Sequence, residues 1–430
     1  MKLNVLRSLL GALALLLALP LAAQPAKEIM VWYGFTGSEK AAFEKVVAAF
    51  NQANAGKVKV STLAVAENTL AEKVASTVPG GKGPDVFIFG QDHLGTWAAA
   101  GHLVEPLDAR LDATLRERYL PNALDAMTWQ GKVYGLPLDF KTTLLFYNRK
   151  LMPVPPKTTA EMAPMAKRLT DAKAGKFGLA YSYADFYYQA SLMNGFGGGV
   201  FGAHRPILNS AQNVAAFNLL RKWIDLGFLP PDPSPAAITA LFNSGKAAMV
   251  ISGPWFLPVI AKGVDFGVAP LPAIAELQNK PMRPWVIVDG VYLAAPGKNK
   301  DAAFAFARYL TDLPAARVLA LEGRQMPASK GIYADPGVAA DPILKAFRQQ
   351  MDVAVPMPNV PEMAKVWAPA ATAMSAVVKK TATPKAALDQ AQKDVLNSLG
   401  IPDKPKTPAP KTPAPKTPAP KTPKKKPGTA

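Results

Sequence analysis

The stretch GPDVFIFGQDHLGTW, residues 83–97, decides how the chain is read. A turn at Gly83-Pro84-Asp85 leads into the apolar run Val86-Phe87-Ile88-Phe89, which breaks into Gly90-Gln91-Asp92-His93. A short apolar run bounded by turn residues reads as a buried strand. Its carboxyl end then delivers a carboxylate and an imidazole to one place. Asp92 also stands where an N-cap belongs, ahead of a helix LGTWAAA that Gly101 would close. Upstream, EIMVWYGF (28–35) is a second strand-like run. SEKAAFEKVVAAFNQAN (38–54) places Phe43, Val46, Val47 and Phe50 at the spacing of one helix face, with Ser38 as its expected N-cap. KVKVSTLAV (57–65) alternates like a strand and LAEKVASTV (70–78) reads as helix. This β-α-β-α-β succession predicts a three-layer α/β domain around a largely parallel sheet.

The pattern continues downstream. GLPLDFKTTLLFYNRKL (135–151) reads as two strand pieces joined through an exposed polar knot at 139–143. Helices are expected over TTAEMAPMAKRLTDA (158–172), from ADFYYQ (184–189) onward, over 210–229 and over 301–323 with an interruption at Pro314. The last helices are expected near 361–379 and 384–399. AITALFNSGKAAMVISGPW (237–255) gives a helix, a Gly turn, a buried strand and a Gly-Pro break. VDGVYLAAPG (288–297) is a further strand. In open α/β sheets ligands sit outside the carboxyl ends of the strands. Gln91-Asp92-His93, Asp139-Phe140-Lys141 and Ser252-Gly253-Pro254-Trp255 all stand at such ends.

The 430 residues suffice for two or three domains, and 49% hydrophobic content supplies a large core. Lys2 and Arg7 precede an apolar run over 9–21, followed by small residues at Ala22, Ala23 and Ala26. This is the layout of a signal peptide over 1–23, with cleavage at about 22–26, and it places the mature protein in the periplasm or elsewhere outside the cytoplasm. The run is short for the ~20 residues of a spanning helix. Cysteine is absent, which excludes disulfides, thiolate metal sites, a thiol nucleophile and a lipid-modified Cys anchor.

The formal net charge of +18 is uneven. Residues 401–430 hold eight Lys and one Asp, and the leader holds two cations, leaving +9 for residues 24–400. The body is therefore only mildly basic and no nucleic-acid partner is expected. The tail repeats KTPAP three times over 406–420. Proline this dense favours a disordered, extended chain. It reads either as a solvated spacer or as a tether to anionic cell-envelope polymer.

Catalytic signatures are mostly missing. His93, His102 and His204 are the three histidines, no G-x-S-x-G elbow is present, and no H-E-x-x-H helix occurs. GGKGPD (80–85) lacks the Lys-Ser/Thr step of a phosphate loop. Neither a metal nor a cofactor is expected. Asp92, Asp139, Asp185 and Asp289 keep a secreted carbohydrate-active enzyme open, because two carboxylates can hydrolyse a glycosidic bond. Aromatic residues are the stronger signal: Tyr183, Phe186, Tyr187 and Tyr188 at a helix entry, Trp255 after a strand, and Trp367 beside prolines. Aromatic faces stack on the C–H face of a sugar while carboxylates accept its hydroxyl protons.

The segments IMVWYGF, GPDVFIFGQDHLGTWAAAGHLVEPLD, GKVYGLPL with LLFYNRKLMPVPPKT, FNSGKAAMVISGPW and PMPNVPEMAKVW, in this order over about 29–399, resemble extracellular solute-binding proteins of sugar ABC transporters, in the maltose/maltodextrin branch. The resemblance implies a two-lobed periplasmic-binding-protein fold of class II type. Its lobes would be discontinuous, 24–139 with 290–335 and 140–289 with 336–400, joined by a hinge around a ligand cleft. It implies that Asp92 accepts sugar hydroxyls, with His93 where relatives often carry Arg and Phe89 replacing a frequent Trp. It implies that Asp185 and Tyr187 bind from the second lobe, that Trp255 and Trp367 are stacking platforms, and that Thr36 to Glu39 form a cleft loop. Two departures stand out. Lys141 occupies a Glu position, which keeps an anionic sugar open, and Ala368 follows Trp367 where relatives often have Tyr. The implied activity is capture of a maltose- or maltodextrin-type oligosaccharide by a monomer and delivery to ABC-transporter membrane subunits, without enzymatic turnover. Trehalose, sucrose and a sugar or glycerol phosphate are the alternative ligands.

Overall fold

The computed structural model describes residues 25–202 and 205–402. The expected leader, the KTPAP repeats and His204 lie outside the described residues. The first half of the sequence reading holds closely. Strand Lys27–Tyr33 is followed by helix Gly37–Ala53, strand Val58–Ala64, helix Glu67–Thr77 and strand Val86–Gly90. Helix Gly37–Ala53 buries Phe43, Val46, Val47 and Phe50, the face that the spacing selected. Each such side chain contributes roughly 1.5–3 kcal/mol on leaving water. Thr36, not Ser38, takes the N-cap position, because the chain turns one residue earlier at Gly37, where φ is +53°.

A six-stranded sheet forms around these strands. Lys27–Tyr33 pairs in parallel with both Val58–Ala64 and Val86–Gly90. Strand Trp285–Leu293 then adds antiparallel to Val86–Gly90, and it also pairs antiparallel with Gly135–Thr142 and in parallel with Val355–Pro356. A second sheet orders Phe266–Ala269, Leu144–Asn148, Ala247–Ser252 and Phe177–Ala180. The parallel character expected of the whole is confined to three strands of the large sheet and one pair of the small one, since the remaining pairs, apart from the short Val355–Pro356 edge, are antiparallel.

The chain changes sheet at Thr143, between Ala269 and Trp285, and after Pro356, where Met363 and Val366 join the second core. Strand Gly135–Thr142 runs unbroken past the expected boundary at 139, and Trp285–Leu293 runs past the one at 289. Near the third expected crossing, helix Pro342–Met351 packs on strands of both sheets.

One residue of the opening stretch ties this junction together. Gln91 is fully buried; its Nε2 donates to the carbonyls of Val286 and Met357, and its Oε1 accepts from Val288 N at 2.7 Å. A single amide thus satisfies backbone groups of two crossing segments, as buried polar groups require.

Candidate functional site

The cleft between the sheets has a volume of about 820 Å³. Thr36, Glu39 and Glu67 line it from the large-sheet side, Lys141 and Ile287 from its floor, and Trp255 and Phe266 from the small-sheet side. Thr36, Glu39, Lys141 and Trp255 are thereby brought together from positions spread over 220 residues of sequence. Phe89 lies in a small adjoining recess with Glu39, Lys141 and Asp289.

The floor is ionic. Asp139, Thr142 and Thr143 are buried, so the knot expected at the surface is interior. The reason is the antiparallel partner Trp285–Leu293, which sets Asp139 opposite Asp289 and covers both. Lys141 Nζ lies 2.9 Å from Asp289 Oδ2 and 4.0 Å from Glu67 Oε1. Burial pulls the Lys141 ammonium down, but Asp289, Asp139 and Glu67 outweigh it, and the group ends above the ordinary lysine range. Asp139 moves the other way from a free carboxylate: burial, then the charge of Asp289, pushes it well above its ordinary value. Gln325 Nε2 donates to Asp139 Oδ2 at 2.7 Å. A neutral acid beside an ion pair is the arrangement that leaves fewest uncompensated charges in a low-dielectric floor.

Asp92 and His93 form a short 3₁₀ turn, Gln91–His93, at the end of strand Val86–Gly90. The helix Leu94–Ala100 that follows has His93 at its N-cap position, with no side-chain cap bond. The expected capping role of Asp92 is therefore not adopted, because the 3₁₀ turn is interposed. Gly101 does close the helix, at φ +74°. Burial raises the Asp92 carboxyl, and His93, whose Nε2 lies 3.7 Å from its Oδ2, opposes the rise. Burial likewise raises Glu39.

Opposite, Asp185 caps helix Phe186–Gly195, one carboxylate oxygen accepting from Tyr187 N at 2.9 Å. The helix entry sends its aromatics into one cluster. Tyr187 stands edge-on to Trp255 at 6.1 Å and tilted to Trp285 at 6.0 Å, and Trp285 meets Trp367 at 5.9 Å. Trp255 is 41% exposed and Trp367 37% exposed, whereas Trp285 is 2% exposed. The two open indoles are therefore the ends of a string whose middle is buried. The Tyr187 hydroxyl is buried without a protein partner among the described residues.

Sequence reasoning missed Trp285, Glu67 and Gln325. Trp285 opens a strand that the apolar run VDGVYL marks only from its middle. Glu67 lies in the first turn of a helix that the alternation begins three residues later. Gln325 sits in a coil segment, where nothing in the local sequence distinguishes it.

Two sheets crossed by the chain three times frame a cleft that sets an open indole against a rim of carboxylates, groups whose chemistry suits a polar, C–H-bearing solute. The chain belongs to the bacterial extracellular solute-binding protein family, whose model matches residues 45–346. It is 29% identical to a maltotriose-binding protein of Pyrococcus abyssi over 379 residues, covering 86% of this chain and 82% of that one. It is 31% identical to a galactooligosaccharide-binding protein of Bacillus subtilis over 379 residues, covering 85% and 87%. Among solved structures, a cyclo/maltodextrin-binding protein complexed with maltotetraose superposes with a TM-score of 0.81 at 30% identity, covering 87% of this chain and 98% of that one.

Proposed function

We propose that the protein captures an α-glucan oligosaccharide of the maltodextrin type in the interlobe cleft and delivers it, outside the cytoplasm, to an ABC transporter. The observation that carries the reading is Trp255, an open indole in a cleft rimmed by Glu39 and Glu67, in a chain similar to proteins named for maltotriose and maltodextrin. In this reading Trp255 and Trp367 stack on sugar rings, while Asp92 and Glu39 accept hydroxyl protons. Tyr187 offers its unpartnered hydroxyl. Asp185 caps its helix with one oxygen and turns the other to the ligand, with His93 and Phe89 flanking. Each hydrogen bond adds about 0.5–1.5 kcal/mol net. In this reading the lobes run 25–142 with 285–356 and 144–269 with 364–400, with Thr143, residues 270–284 and residues 357–363 as hinge segments.

Lys141 argues for a neutral sugar. Its charge is engaged by Asp289 and Glu67, and the surrounding carboxylates repel an added phosphate. Titration of tryptophan fluorescence with maltose, maltotriose, trehalose, sucrose, a β-galactooligosaccharide and glycerol phosphate tests the proposal. Response to maltotriose is expected, and silence towards every glucan overturns it. The relative named for galactooligosaccharides supplies a second reading, which wins if that ligand binds tighter. The reading includes no turnover: maltotriose recovered intact after long incubation is expected, and released glucose would make the protein an enzyme.

A further inference from the structure

A second cavity, of about 450 Å³, shares no lining residue with the cleft. Helix Phe186–Gly195 reaches both: its first turn sets Tyr187 against Trp255, and near its end Asn194 lines the second cavity. The walls come from three parts of the chain. Phe201 follows that helix, Val355 and Val360 belong to the edge strand and the third passage between sheets, and Leu399 and Ile401 stand at the end of helix Pro384–Ser398. All five are apolar and only half-buried. The last of them leads the chain along the wall. Gly400, at φ +66°, closes the helix, and Ile401 N donates back to the Leu396 carbonyl at 2.9 Å. This left-handed closure fixes the direction in which the chain leaves the helix. Arg205, on the same cavity, then donates from Nη2 to the Pro402 carbonyl at 3.3 Å. Only residues 403–405 separate Pro402 from the first KTPAP repeat.

We infer that the chain's own KTPAP segment, residues 406–420, docks in this cavity, with its prolines on the apolar walls and one of its lysines against Glu362. Proline-rich sequence suits such a groove. Polyproline II is extended and already ordered, and it offers ring faces in place of N–H donors, so docking has little left to order. Attachment at the rim supplies an effective concentration of about millimolar order, so contacts that would be weak between separate molecules suffice. Charge agrees with this occupant. Glu362 stands exposed on the rim with no ion-pair partner among the described residues, and Lys406, Lys411, Lys416 and Lys421 recur every five residues. Phe201 and Leu399 pack against the second core, whereas Val355 pairs into the large sheet. The docked segment therefore touches both halves of the molecule from outside the cleft.

Paramagnetic broadening of NMR signals in the full-length chain tests this, since the absence of cysteine lets one substitution carry the label. A nitroxide attached through Ala414→Cys, in the second repeat, is expected to broaden the amide signals of Phe201 and Val355. Leu63, on the opposite edge strand of the large sheet, is expected to stay sharp. A tail merely attached at Pro402 would also bring the label near from time to time. The comparison is therefore with Val360→Lys, which sets a cation on the wall, and with Glu362→Lys, a change at an exposed residue. Both are expected to lose most of the broadening at Phe201 and Val355. Equal broadening in all three proteins would make the tail a solvated spacer and overturn docking. Relaxation of the tail amides in the unlabelled wild-type protein reads the same contact without any variant. Residues 406–414 are expected to tumble with the body while 424–430 move fast, and fast motion from 403 onward overturns docking. Repeating the measurement with polyglutamate probes the other occupant. Tail amides that slow only when the polyanion is present would show a tether to anionic polymer and overturn docking as well.

Discussion

In the proposed reading Asp92 supplies a hydroxyl acceptor and Trp255 a stacking surface. Replacing either by Ala is expected to weaken maltotriose binding at least tenfold with the melting temperature little changed, since each side chain is partly open. Titration calorimetry checks this, and wild-type affinity would remove that residue from the site. Asp92 also gives binding a pH dependence. Burial raises its pKa, and a sugar hydroxyl donating to it favours the ionised form, so binding lowers that pKa again. Affinity is expected to fall as pH drops through the raised value, with proton release on binding across that window. Calorimetry in buffers of different ionisation enthalpy reads the released proton directly. Asp139 has the opposite relation to stability. Its folded pKa lies above its unfolded one, so its stabilisation is full below the unfolded value and is lost as pH rises through the folded value. Asp139→Asn keeps a neutral side chain that accepts from Gln325, and its stability is expected to decline less than the wild type's from mildly acidic to mildly alkaline buffer. Asp289→Asn strands Lys141 and is expected to cost about 2 kcal/mol, less than a sealed pair because a quarter of Lys141 remains exposed. Urea titrations at two pH values distinguish the pair.

At the scale of elements, Asp185 caps the helix starting at Phe186 and, in the proposed reading, also binds the sugar. Asp185→Ala loses the cap, about 1 kcal/mol, and is expected to weaken binding as well. Asp185→Ser restores the cap alone; recovered stability with binding still weak would show that the carboxylate touches ligand, whereas recovery of both would make it a cap only. Elements were the most legible part of the chain. The face of helix Gly37–Ala53, the Gly101 closure and the break before Pro314 all follow from local periodicity and turn chemistry. What local pattern could not supply was partnership. The 139–143 segment looks like a polar surface knot because its covering strand, Trp285–Leu293, lies about 150 residues further on. For the same reason Trp255, Lys141, Thr36 and Glu39 could be proposed one at a time, whereas the buried Trp285 that links the two open indoles could not. The resemblance carried the site further than periodicity alone.

For the whole molecule, a ligand held between two sheets should draw them together. Saturating maltotriose is expected to reduce the radius of gyration in X-ray scattering and to raise the melting temperature, by a stabilisation of about 2.7 kcal/mol at a hundredfold excess over Kd. A scattering curve unchanged by a ligand that binds would assign closure to side chains alone.

The three passages of the chain between sheets carry a different consequence. A protease cut at the exposed residues 278–281 would leave the two halves still joined by the passages at Thr143 and 357–363. The severed fragment would stay paired through strand Gly135–Thr142 on Trp285–Leu293. Nicked protein should therefore migrate as one particle under native conditions and come apart only in denaturant. The same redundancy makes the crossing at 270–284 a place where new chain ends could be opened without dividing the molecule.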